Sequence, residues 1–424
     1  MSSHAPAELS GSDATTNAKE TAEETAQETA AQLAAQLAAD PYVAYARLRE
    51  AGPVHRVAGT DGRPAWLVTR YEDVRRGLAD PRLSLDKRHA LPGNYQGLSL
   101  PAALDANLLN MDAPDHTRIR RLVSQAFTPQ RIEQLRLPIR RTAESLLDAF
   151  PAEGPVDLVA AYAAPLPITV ICELLGVPTE ERRDFRGWTD TLVAPDPSRP
   201  NEARTAIAGM LGYLTRLIAT KREHPGDDLL SAMIEARDED RDEGRRLSED
   251  ELLSLAFLIL FAGYENTVQL IGNAVLALLA HPDELAALRA EPERMGAAVG
   301  ELMRFDAPAP LAIRRFPVED VTVDGVTIPA GETVLLSLAS ANRDPDRFPE
   351  PDRLALDRAS SGHLALGHGV HYCLGAPLAR LETEIALDAL LTRFPHLTLA
   401  VPAADLRHRP SIRTRGLVAL PVAY

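Results

Sequence analysis

Apolar residues recur at the three- and four-residue spacing of helices along most of the chain between residues 114 and 302. The longest run, "SEDELLSLAFLILFAGYENTVQLIGNAVLALLA", opens with Ser248 and has Glu251 three positions later, which is the spacing of a capping box. Both halves of this run are apolar as far as about Ala280. The pattern predicts one unusually long helix that crosses the middle of a large domain.

A shorter helix and a hairpin are predicted near the start of the chain. Asp40 is a suitable N-cap, Pro41 suits the first helical position, and Gly52 follows the end of the periodic stretch. The next stretch, "PVHRVAGTDGRPAWLVTR", predicts a β-hairpin with Asp61 and Gly62 in its turn. Helical spacing then returns from Tyr71 to Asp80.

Residues 81–109, which contain "ALPGNYQGLSLP", have turn residues and weak periodicity. They predict a long loop, and long loops within compact domains often carry function. After Phe316, "VEDVTVDGVTIPAGETVLLSL" predicts short strands with glycine-containing turns. The stretch "PLARLETEIALDALLTRF" predicts a further helix, followed by short strands at the end of the chain.

These elements predict a mainly α fold with a small β portion. No break in composition divides residues 40–424, so we expect a single domain from residue 39 to residue 424. Residues 1–38 are poor in large apolar side chains and contain "KETAEETAQETAAQLAAQLAA". Such a segment cannot bury enough surface to order itself, so we expect a disordered, solvated tail.

Composition excludes several classes of protein. The chain has 424 residues, 45% of them apolar and 25% charged, as in globular proteins. Its net charge of -15 argues against a nucleic-acid-binding surface, which needs a basic excess. Two cysteines are too few for a disulfide scaffold and fit a reducing cytoplasm.

We expect neither a secretory signal nor a membrane span. The N-terminus lacks a basic stretch followed by an apolar one. The most apolar stretch, Leu252–Gly263, is too short to cross a bilayer, and Glu265 and Asn266 follow it at once. We interpret it as part of a buried core helix and place the protein in the cytoplasm.

One cysteine lies among histidines and glycines in "LALGHGVHYCLGAPLAR", residues 364–380. Zinc binding by His363, His368, His371 and Cys373 is one hypothesis, but His371 and Cys373 are too close to share a tetrahedral site easily. A nucleophilic cysteine with His371 as its base is a second, although nothing else identifies such a site.

A thiolate ligand to haem iron is a third hypothesis. Gly367, Gly369 and Gly375 would let the backbone turn sharply and approach a flat cofactor closely. Pro377 suits the first turn of the next helix, whose N-terminus would favour a thiolate at Cys373. Cys172 in "ITVICELLG" instead has apolar neighbours at helical spacing, which predicts a core position.

The loop "LGHGVHYCLGAPLAR" resembles the cysteine-ligand loop of the cytochrome P-450 family, in its soluble bacterial class. Four other stretches resemble motifs of that family and follow its order: "MDAPDHTRIRRLVSQAFTP", "FAGYENT", "ELMRF" and "ANRDPDRFPEPDRL". The resemblance extends from about residue 40 to the end of the chain. It implies the cytochrome P-450 fold, with the long central helix over haem b, and it favours actinobacterial enzymes that tailor secondary metabolites.

The resemblance also implies roles for individual residues. Cys373 would be the axial ligand of the iron, beside Gly375. His116, Arg120, Arg315 and His371 would hold the haem propionates. Ala262 and Gly263 would leave room for dioxygen beside the central helix.

A buried network of Glu301, Arg304 and Arg353 is implied by the motifs "ELMRF" and "PDRL" and would hold the cysteine loop in place. The alternative for Glu301 and Arg304, which are three residues apart on a helix, is a surface ion pair of little value. The order of the motifs favours the buried network.

Two positions of the central helix concern proton supply. Glu265 is a costly charge in so apolar a helix unless it serves a path for water or protons. The next position usually carries threonine in the family, but here it is Asn266, with Thr267 one residue later. One helical step rotates a side chain by about 100°, so Thr267 cannot replace the missing hydroxyl directly. A further departure is Leu366, where the family most often has phenylalanine.

The implied function is a haem-thiolate monooxygenase that places one atom of O2 in a C–H bond or a double bond. Because no flavin or nicotinamide fingerprint is present, electrons would come from a ferredoxin and its reductase, with Arg118 and Arg121 as a candidate docking position for the ferredoxin. The substrate would be a small hydrophobic molecule, most simply a macrolide or other polyketide, with steroids and peptides as alternatives. Expected contacts are Leu91, Phe185, Phe261, Leu311, Ile313 and Ile412.

Two other classes of protein remain open from the sequence. A haem-binding protein without efficient oxygen activation is suggested by Asn266. A zinc-stabilised helical binding module is suggested by the histidine and cysteine cluster.

Overall fold

The central helix runs from Glu249 to Ala280 in a computed structural model of the chain. The Ser248 hydroxyl accepts the Glu251 N–H, and the Glu251 carboxylate accepts the Ser248 N–H, so the predicted capping box is confirmed. The helix has the length and hydropathy of a membrane span, but 61% of its most apolar window is buried inside the fold. It is therefore a core helix, as predicted.

The structure describes residues 40–59, 62–94, 101–193, 199–239, 247–358, 362–409, 411 and 413–424. The predicted tail, residues 1–38, lies outside the described residues. The other helices are Pro41–Ala51, Tyr71–Ala79, Ala102–Asp105, Asp115–Ala126, Pro129–Gln134, Arg136–Asp148, Pro165–Leu174, Arg182–Val193, Pro200–Glu223, Leu229–Glu239, Pro282–Ala290, Met295–Phe305, Leu338–Ala341 and Ala376–Arg393.

Short strands form small sheets at the edge of the helical body. The strands are Val54–Ala58, Pro64–Val68, Leu83–Ser84, Val156–Asp157, Phe316–Pro317, Val321–Val323, Val326–Ile328, Val334–Leu336, Thr398–Leu399 and Pro421–Ala423. The first two pair antiparallel, with Val54 opposite Val68, which confirms the predicted hairpin. Val334–Leu336 adds to them in parallel.

The main hydrophobic core surrounds the central helix, which packs against Pro165–Leu174 and Ala376–Arg393. Ala376–Arg393, here named the C-terminal helix, begins directly after Cys373 and also packs against Arg136–Asp148. A second core cluster lies between the sheet and the helix Tyr71–Ala79. The start of the C-terminal helix is thereby fixed beside the middle of the central helix.

A buried ion network confirms that Glu301 and Arg304 are not a surface pair. Both side chains have 0% exposure, and the Arg304 Nε and Nη2 atoms donate to the two Glu301 oxygens at 2.7 and 2.8 Å. The Ala355 N–H and the Arg358 Nε donate to Glu301 Oε1, each at 3.1 Å. Arg304 Nη1 donates to the carbonyls of Asn342 and Pro351, each at 2.8 Å.

The prediction that Arg353 completes this network was wrong. The Arg353 side chain is 57% exposed and pairs with Glu350 at 3.6 Å, and only the Arg353 carbonyl reaches Arg304. The chain turns back after residue 353, so that Arg358 faces Glu301 instead. Sequence spacing alone could not distinguish two arginines five residues apart in an irregular segment.

We expect Arg304→Met to lower the free energy of unfolding by about 3–5 kcal/mol, because it leaves the buried Glu301 carboxylate with only part of its partners. Arg353→Met is the matched control, and its exposed ion pair predicts a change within about 0.5 kcal/mol. Urea unfolding of both variants checks this. Equal losses in the two variants would contradict the assignment of the network.

Candidate active site

A cavity lies between the central helix and the loop that carries Cys373, here named the central cavity. The helix Asp115–Ala126 and the turn at residues 308–313 close its sides. Most of the side chains on its walls are apolar. They include Leu85, Leu108, Val123, Phe127, Ile171, Leu174, Leu255, Leu258, Ile259, Leu270, Pro308, Ala312, Leu338, Leu366 and Leu378.

The loop before the C-terminal helix holds Cys373 at the edge of this cavity. Gly367 and Gly369 have φ angles of +77° and +74°, which side chains rarely adopt. A Cβ atom on Gly369 would also lie 3.3 Å from the Leu78 carbonyl oxygen, so the backbone packs closely there. The Cys373 N–H donates to the Leu366 carbonyl at 2.9 Å.

Gly375 was also predicted to allow a sharp backbone turn, but its φ of -79° is open to any residue. A Cβ atom on Gly375 would instead lie 4.0 Å from the Cys373 sulfur, in ordinary contact. Gly375 and Cys373 both line the central cavity, as predicted. Pro377 lies in the first turn of the C-terminal helix, which also agrees with the prediction.

Two opposing effects act on the Cys373 thiol. Burial raises the pKa of Cys373, whereas the backbone N–H groups of Gly375 and Ala376 and the charge of Arg120 lower it. The N–H groups point at the sulfur because the helix begins there and its first amides have no partner within the helix. The sulfur thus faces the cavity with hydrogen-bond donors behind it.

The four residues predicted to meet propionates lie together at one side of the central cavity. The rings of His116 and His371 have centroids 4.0 Å apart. Arg120 Nη2 donates to the Tyr372 carbonyl at 2.5 Å, and Arg315 Nη1 donates to the Leu83 carbonyl at 3.2 Å. The structure therefore brings all four together.

Two buried atoms of this group have no hydrogen-bond partner among the residues that the structure describes: His116 Nε2 and Arg315 Nε. Buried polar atoms are rarely left unpaired, so each is a place where a ligand oxygen fits. Haem b would bring two propionate carboxylates to this side of the cavity, a flat ring to the apolar walls, and an iron that Cys373 could bind as a thiolate. The residues present fit that cofactor.

The charges in this group come from the arginines. Burial lowers the pKa of His371 to about 3, and burial and Arg120 lower the pKa of His116. Burial also lowers the pKa of Arg315, but only to about 10, so that this side chain stays charged near neutral pH. At neutral pH the two rings are neutral hydrogen-bonding groups, and Arg120 and Arg315 are the cations.

The central helix also lines the central cavity. It contributes Ala262, Gly263 and Asn266, which were predicted to lie at the site, and Thr267, which was not. The Asn266 amide donates to the Ala262 carbonyl at 3.2 Å, and the Thr267 hydroxyl donates to the Gly263 carbonyl at 2.9 Å. The Asn266 carbonyl oxygen is then the group left to accept a hydrogen bond from the cavity.

Glu265 lies on a different flank of the central helix and is absent from the described walls of the cavity. Its Oε1 atom accepts the Gln269 amide at 2.9 Å and lies 3.5 Å from Arg409 Nη1. The 100° step between neighbouring helical residues separates it from Asn266.

Two of the expected substrate contacts, Leu311 and Ile313, line the central cavity, as does part of the predicted loop through Leu85, Leu108 and Leu109. The prediction of Phe185 was wrong. Its side chain is completely buried in the core, with its ring 5.5 Å from that of Tyr213.

Phe261 and Leu91 also differ from the prediction, because neither lines the described cavity. The Phe261 ring stacks on that of Phe257 at 5.8 Å, because helical rotation turns it away from the face that carries Ala262. Leu91 is 41% exposed and lies against Gly331. Ile412 lies outside the described residues.

Sequence reasoning missed Glu382, a carboxyl group on the cavity wall that is only 2% exposed. Burial raises the pKa of Glu382 well above its ordinary value, and its Oε2 atom has no hydrogen-bond partner in the described part of the chain. Its spacing from Leu378 and Ala379 on the C-terminal helix was the available signal. Burial therefore favours the protonated form of this carboxyl group.

The described residues form no zinc site of the kind that the sequence suggested. Within the described part of the chain, no three His, Cys, Asp or Glu side chains are grouped as metal ligands. His363 is a half-buried ring whose Nδ1 accepts the Ala365 N–H at 3.3 Å, and partial burial lowers the pKa of His363 to about 4.

Comparison with known proteins agrees with this geometry. The family model described as Cytochrome P450 matches residues 201–412. Cytochrome P450 monooxygenase PikC from Streptomyces venezuelae is 50% identical, covering 91% of each chain. Vitamin D(3) 25-hydroxylase from Pseudonocardia autotrophica is 49% identical, covering 90% of this chain and 93% of its own.

Among solved structures, the bacillaene polyketide synthase cytochrome P450 PksS from Bacillus subtilis superposes with a TM-score of 0.85. It is 40% identical and covers 92% of this chain and 97% of its own. These matches extend over nearly the whole chain and agree with the cysteine loop, the propionate group and the central helix. The chain belongs to the cytochrome P450 family and is a haem b monooxygenase of that family.

Proposed function

We propose that this enzyme hydroxylates or epoxidises a neutral polyketide, most simply a macrolide, with electrons from a ferredoxin. The arrangement of the central cavity supports this most directly: Cys373, Ala262 and Gly263 line the same largely apolar cavity. Haem b bound through a cysteine thiolate supplies the reductive splitting of dioxygen, with one atom going to the substrate and the other to water.

Cys373 is proposed to bind the iron as a thiolate. The N–H groups of Gly375 and Ala376 donate to its sulfur and stabilise the negative charge against the cost of burial. Arg120 and Arg315, with His116 and His371, are proposed to bind the two propionates. Residues 39–424 would act as one haem-binding unit, located in the cytoplasm.

Asn266 is proposed to hold a water molecule rather than to donate a proton itself. Its amide group is bonded to the Ala262 carbonyl, so that its oxygen can accept from a water or from a substrate hydroxyl in the cavity. A hydroxyl-bearing polyketide would thus find one polar contact on an apolar wall. This favours oxygen activation over the alternative of a haem protein without it.

The proposed class of substrate is based on the side chains that line the central cavity. The part of the described cavity away from the propionate group is lined mainly by leucine, isoleucine, alanine, proline and other apolar side chains, with Asn266, Thr267 and Glu382 as polar exceptions. Such walls suit a neutral, largely apolar molecule. PksS is named for a polyketide synthase, which favours polyketides, while the vitamin D(3) hydroxylase makes a steroid-like molecule the second candidate.

A second concavity on the outer side of the cysteine loop, here named the outer bowl, is the proposed site for ferredoxin. Gly367, His368 and Tyr372 line both the outer bowl and the central cavity, so only the loop separates them. Arg75, Arg347 and Arg380 also line the bowl, against one acidic residue, Glu72. This positive surface complements an acidic iron–sulfur protein, although the net charge of the whole chain is negative.

The docking position expected from the sequence, near Arg118 and Arg121, suits ferredoxin less well than the outer bowl does. Arg118 is engaged with Glu251, with Nη2 2.5 Å from Oε1, and is only 19% exposed. Arg121 is exposed on the same helix and stays available as an additional contact.

A ligand panel tests the substrate class. We expect macrolides to shift the absorption spectrum of the ferric holoenzyme by displacing the water bound to iron, because the walls are apolar and uncharged. Steroids should bind more weakly and charged cyclic peptides not at all. Binding only by the charged peptides would contradict the proposed substrate class, and absence of product from every bound compound with a supplied redox system would contradict monooxygenation.

Charge reversal tests the outer bowl. We expect Arg75→Glu combined with Arg380→Glu to slow reduction by an acidic ferredoxin at least about tenfold at low salt, since steering of this kind contributes about 10–10³-fold. Arg141→Glu, exposed on another helix and outside the bowl, is the control. Stopped-flow reduction measures all three. Equal rates in the variants and the wild type would contradict docking at this surface.

A further inference from the structure

An acidic repeat, "ETAEETAQE", occupies residues 20–28 of the N-terminal tail and is here named the acidic repeat. It carries four glutamates and no basic residue, and residues 1–39 as a whole carry six acidic side chains against one lysine. The repeat lies outside the described residues, so its composition and its distance along the chain are what bear on its role. Charged segments of this kind often act as interaction tails for a surface of the opposite sign.

The outer bowl is a surface of the opposite sign on the same chain. Arg75, Arg347 and Arg380 line it, together with one carboxylate, Glu72. Arg380 makes no ion pair within the described part of the chain, and its Nη2 atom lies 3.5 Å from His363 Nε2. Arg75 is 45% exposed, and its Nη1 atom lies 4.0 Å from Glu72 Oε2, at the outer limit of an ion pair. Arg75 and Arg380 are therefore in reach of a further carboxylate.

The outer bowl also has room for a peptide chain. Gly296, Ala297 and Gly300, all from the helix Met295–Phe305, line it beside the arginines. Because these residues have little or no side chain, a peptide backbone can approach the helix closely. A segment rich in alanine and threonine, such as the acidic repeat, is narrow enough to use that room.

The tail begins one helix length from the bowl. The helix Pro41–Ala51 has 11 residues and spans about 16 Å. Near its C-terminal end, the Arg49 carbonyl accepts the Arg70 Nε–H at 3.2 Å. Arg70 directly precedes Tyr71, which lines the bowl. The end of this helix thus lies beside the bowl, and Asp40 at its beginning is about 16 Å from that end.

The tail is long enough to cross this distance. Glu28 precedes Asp40 by 12 residues. A random coil of 12 residues has a root-mean-square end-to-end distance of about 20 Å, and full extension gives about 40 Å. The effective concentration of a tethered group is greatest when the linker length matches the span, and it is millimolar for short linkers. Ion pairs that are individually weak are therefore sufficient for the repeat to occupy the bowl part of the time.

We propose that the acidic repeat binds the outer bowl of its own chain and competes there with ferredoxin. The competition rests on the proposed function, whereas the contact between the repeat and the bowl does not. Glutamates of residues 20–28 pair with Arg75 and Arg380 in the place of the carboxylates of the ferredoxin. The tail thereby selects the partner, because a ferredoxin with strong charge complementarity displaces it and a weakly complementary acidic protein does not.

A tail that stays in the solvent and only adds negative charge is the competing explanation. Such a tail would also repel an acidic ferredoxin, and removing its charge would also speed reduction. The rate of reduction by itself therefore does not separate the two explanations. They differ in whether the repeat contacts the bowl, and in whether the effect of the tail depends on the arginines of the bowl.

Zero-length cross-linking tests the contact. The chain has three lysines: Lys19 in the tail, and Lys87 and Lys221, each of which pairs with an aspartate. Arg380→Lys therefore places a nearly unique amine in the bowl, and a water-soluble carbodiimide couples that amine to a carboxylate in direct contact. In the full-length holoenzyme at low salt, we expect mass spectrometry to find the introduced lysine joined to a glutamate of residues 20–28.

Arg141→Lys, on the exposed face of another helix and outside the bowl, is the matched control and should give no such link. Mixing unlabelled and ¹⁵N-labelled chains distinguishes links within one chain from links between two copies. Absence of a link to the tail in Arg380→Lys, or an equally abundant link in Arg141→Lys, would overturn the proposal. Links that join two copies rather than one chain would overturn it as well.

Reduction by ferredoxin tests the competition. The full-length variant to compare with the wild type combines Glu20→Gln, Glu23→Gln, Glu24→Gln and Glu28→Gln. With ferredoxin below saturation and at low salt, we expect roughly threefold faster reduction in stopped flow. The reason is that the bowl is open for a larger fraction of the time, and the apparent affinity scales with that fraction. The matched control changes the same segment without changing its charge, through Thr21→Ala, Thr25→Ala and Thr29→Ala, and should behave as the wild type.

The same four glutamine substitutions in a chain with Arg75→Glu and Arg380→Glu separate docking from repulsion. We expect them to give no acceleration there, because the bowl no longer binds the repeat, so the two sets of changes are not additive. An equal acceleration in both backgrounds, or none in either, would overturn the competition. If ferredoxin reduces none of these proteins, the proposed function fails instead, while the cross-link still decides whether the repeat binds the bowl.

Discussion

The place of the Cys373 sulfur depends on a hydrogen-bonded chain that begins at the buried carboxylate of Glu301. Glu301 holds the Arg304 guanidinium, which donates to the Asn342 carbonyl. The Asn342 side chain in turn accepts the Leu364 N–H at 2.6 Å, at the start of the cysteine loop. The start of the loop is thus anchored to a charged pair in the core, and its sharp turns follow at Gly367 and Gly369, whose φ angles are positive.

Polar chemistry is confined to three places around an apolar cavity. The first is the backbone behind Cys373, the second is the pair of arginines at the propionate side, and the third is the turn that carries Asn266. At the propionate side, His116 Nε2 and Arg315 Nε are buried and lack a partner among the described residues, so that this place is suited to a ligand rather than to packing. Glu382 adds a buried carboxyl group with a raised pKa to the wall, whereas Glu265 is held outside it.

Much of the fold and of the candidate active site could be predicted from the sequence, because these features depend on local sequence signals. The capping box set the start of the central helix, and Asp61 with Gly62 indicated the hairpin. Motif order placed Cys373, His116 and Arg315 at one site. The errors share a physical cause: they depend on how the chain returns on itself or on which way a helical side chain points. Arg358 replaced Arg353 because the segment turns back, and Phe261 was rotated away from Ala262.

The central claim is that Cys373 is the thiolate ligand of the haem, and the absorption spectrum of the reduced, carbon-monoxide-bound protein tests it most directly. The wild type and Cys172→Ser, whose changed residue is buried between helices, should both give the band of a thiolate-ligated haem. Cys373→Ser should lose that band. An unchanged band in Cys373→Ser, or a colourless wild-type protein that contains zinc, would contradict the account.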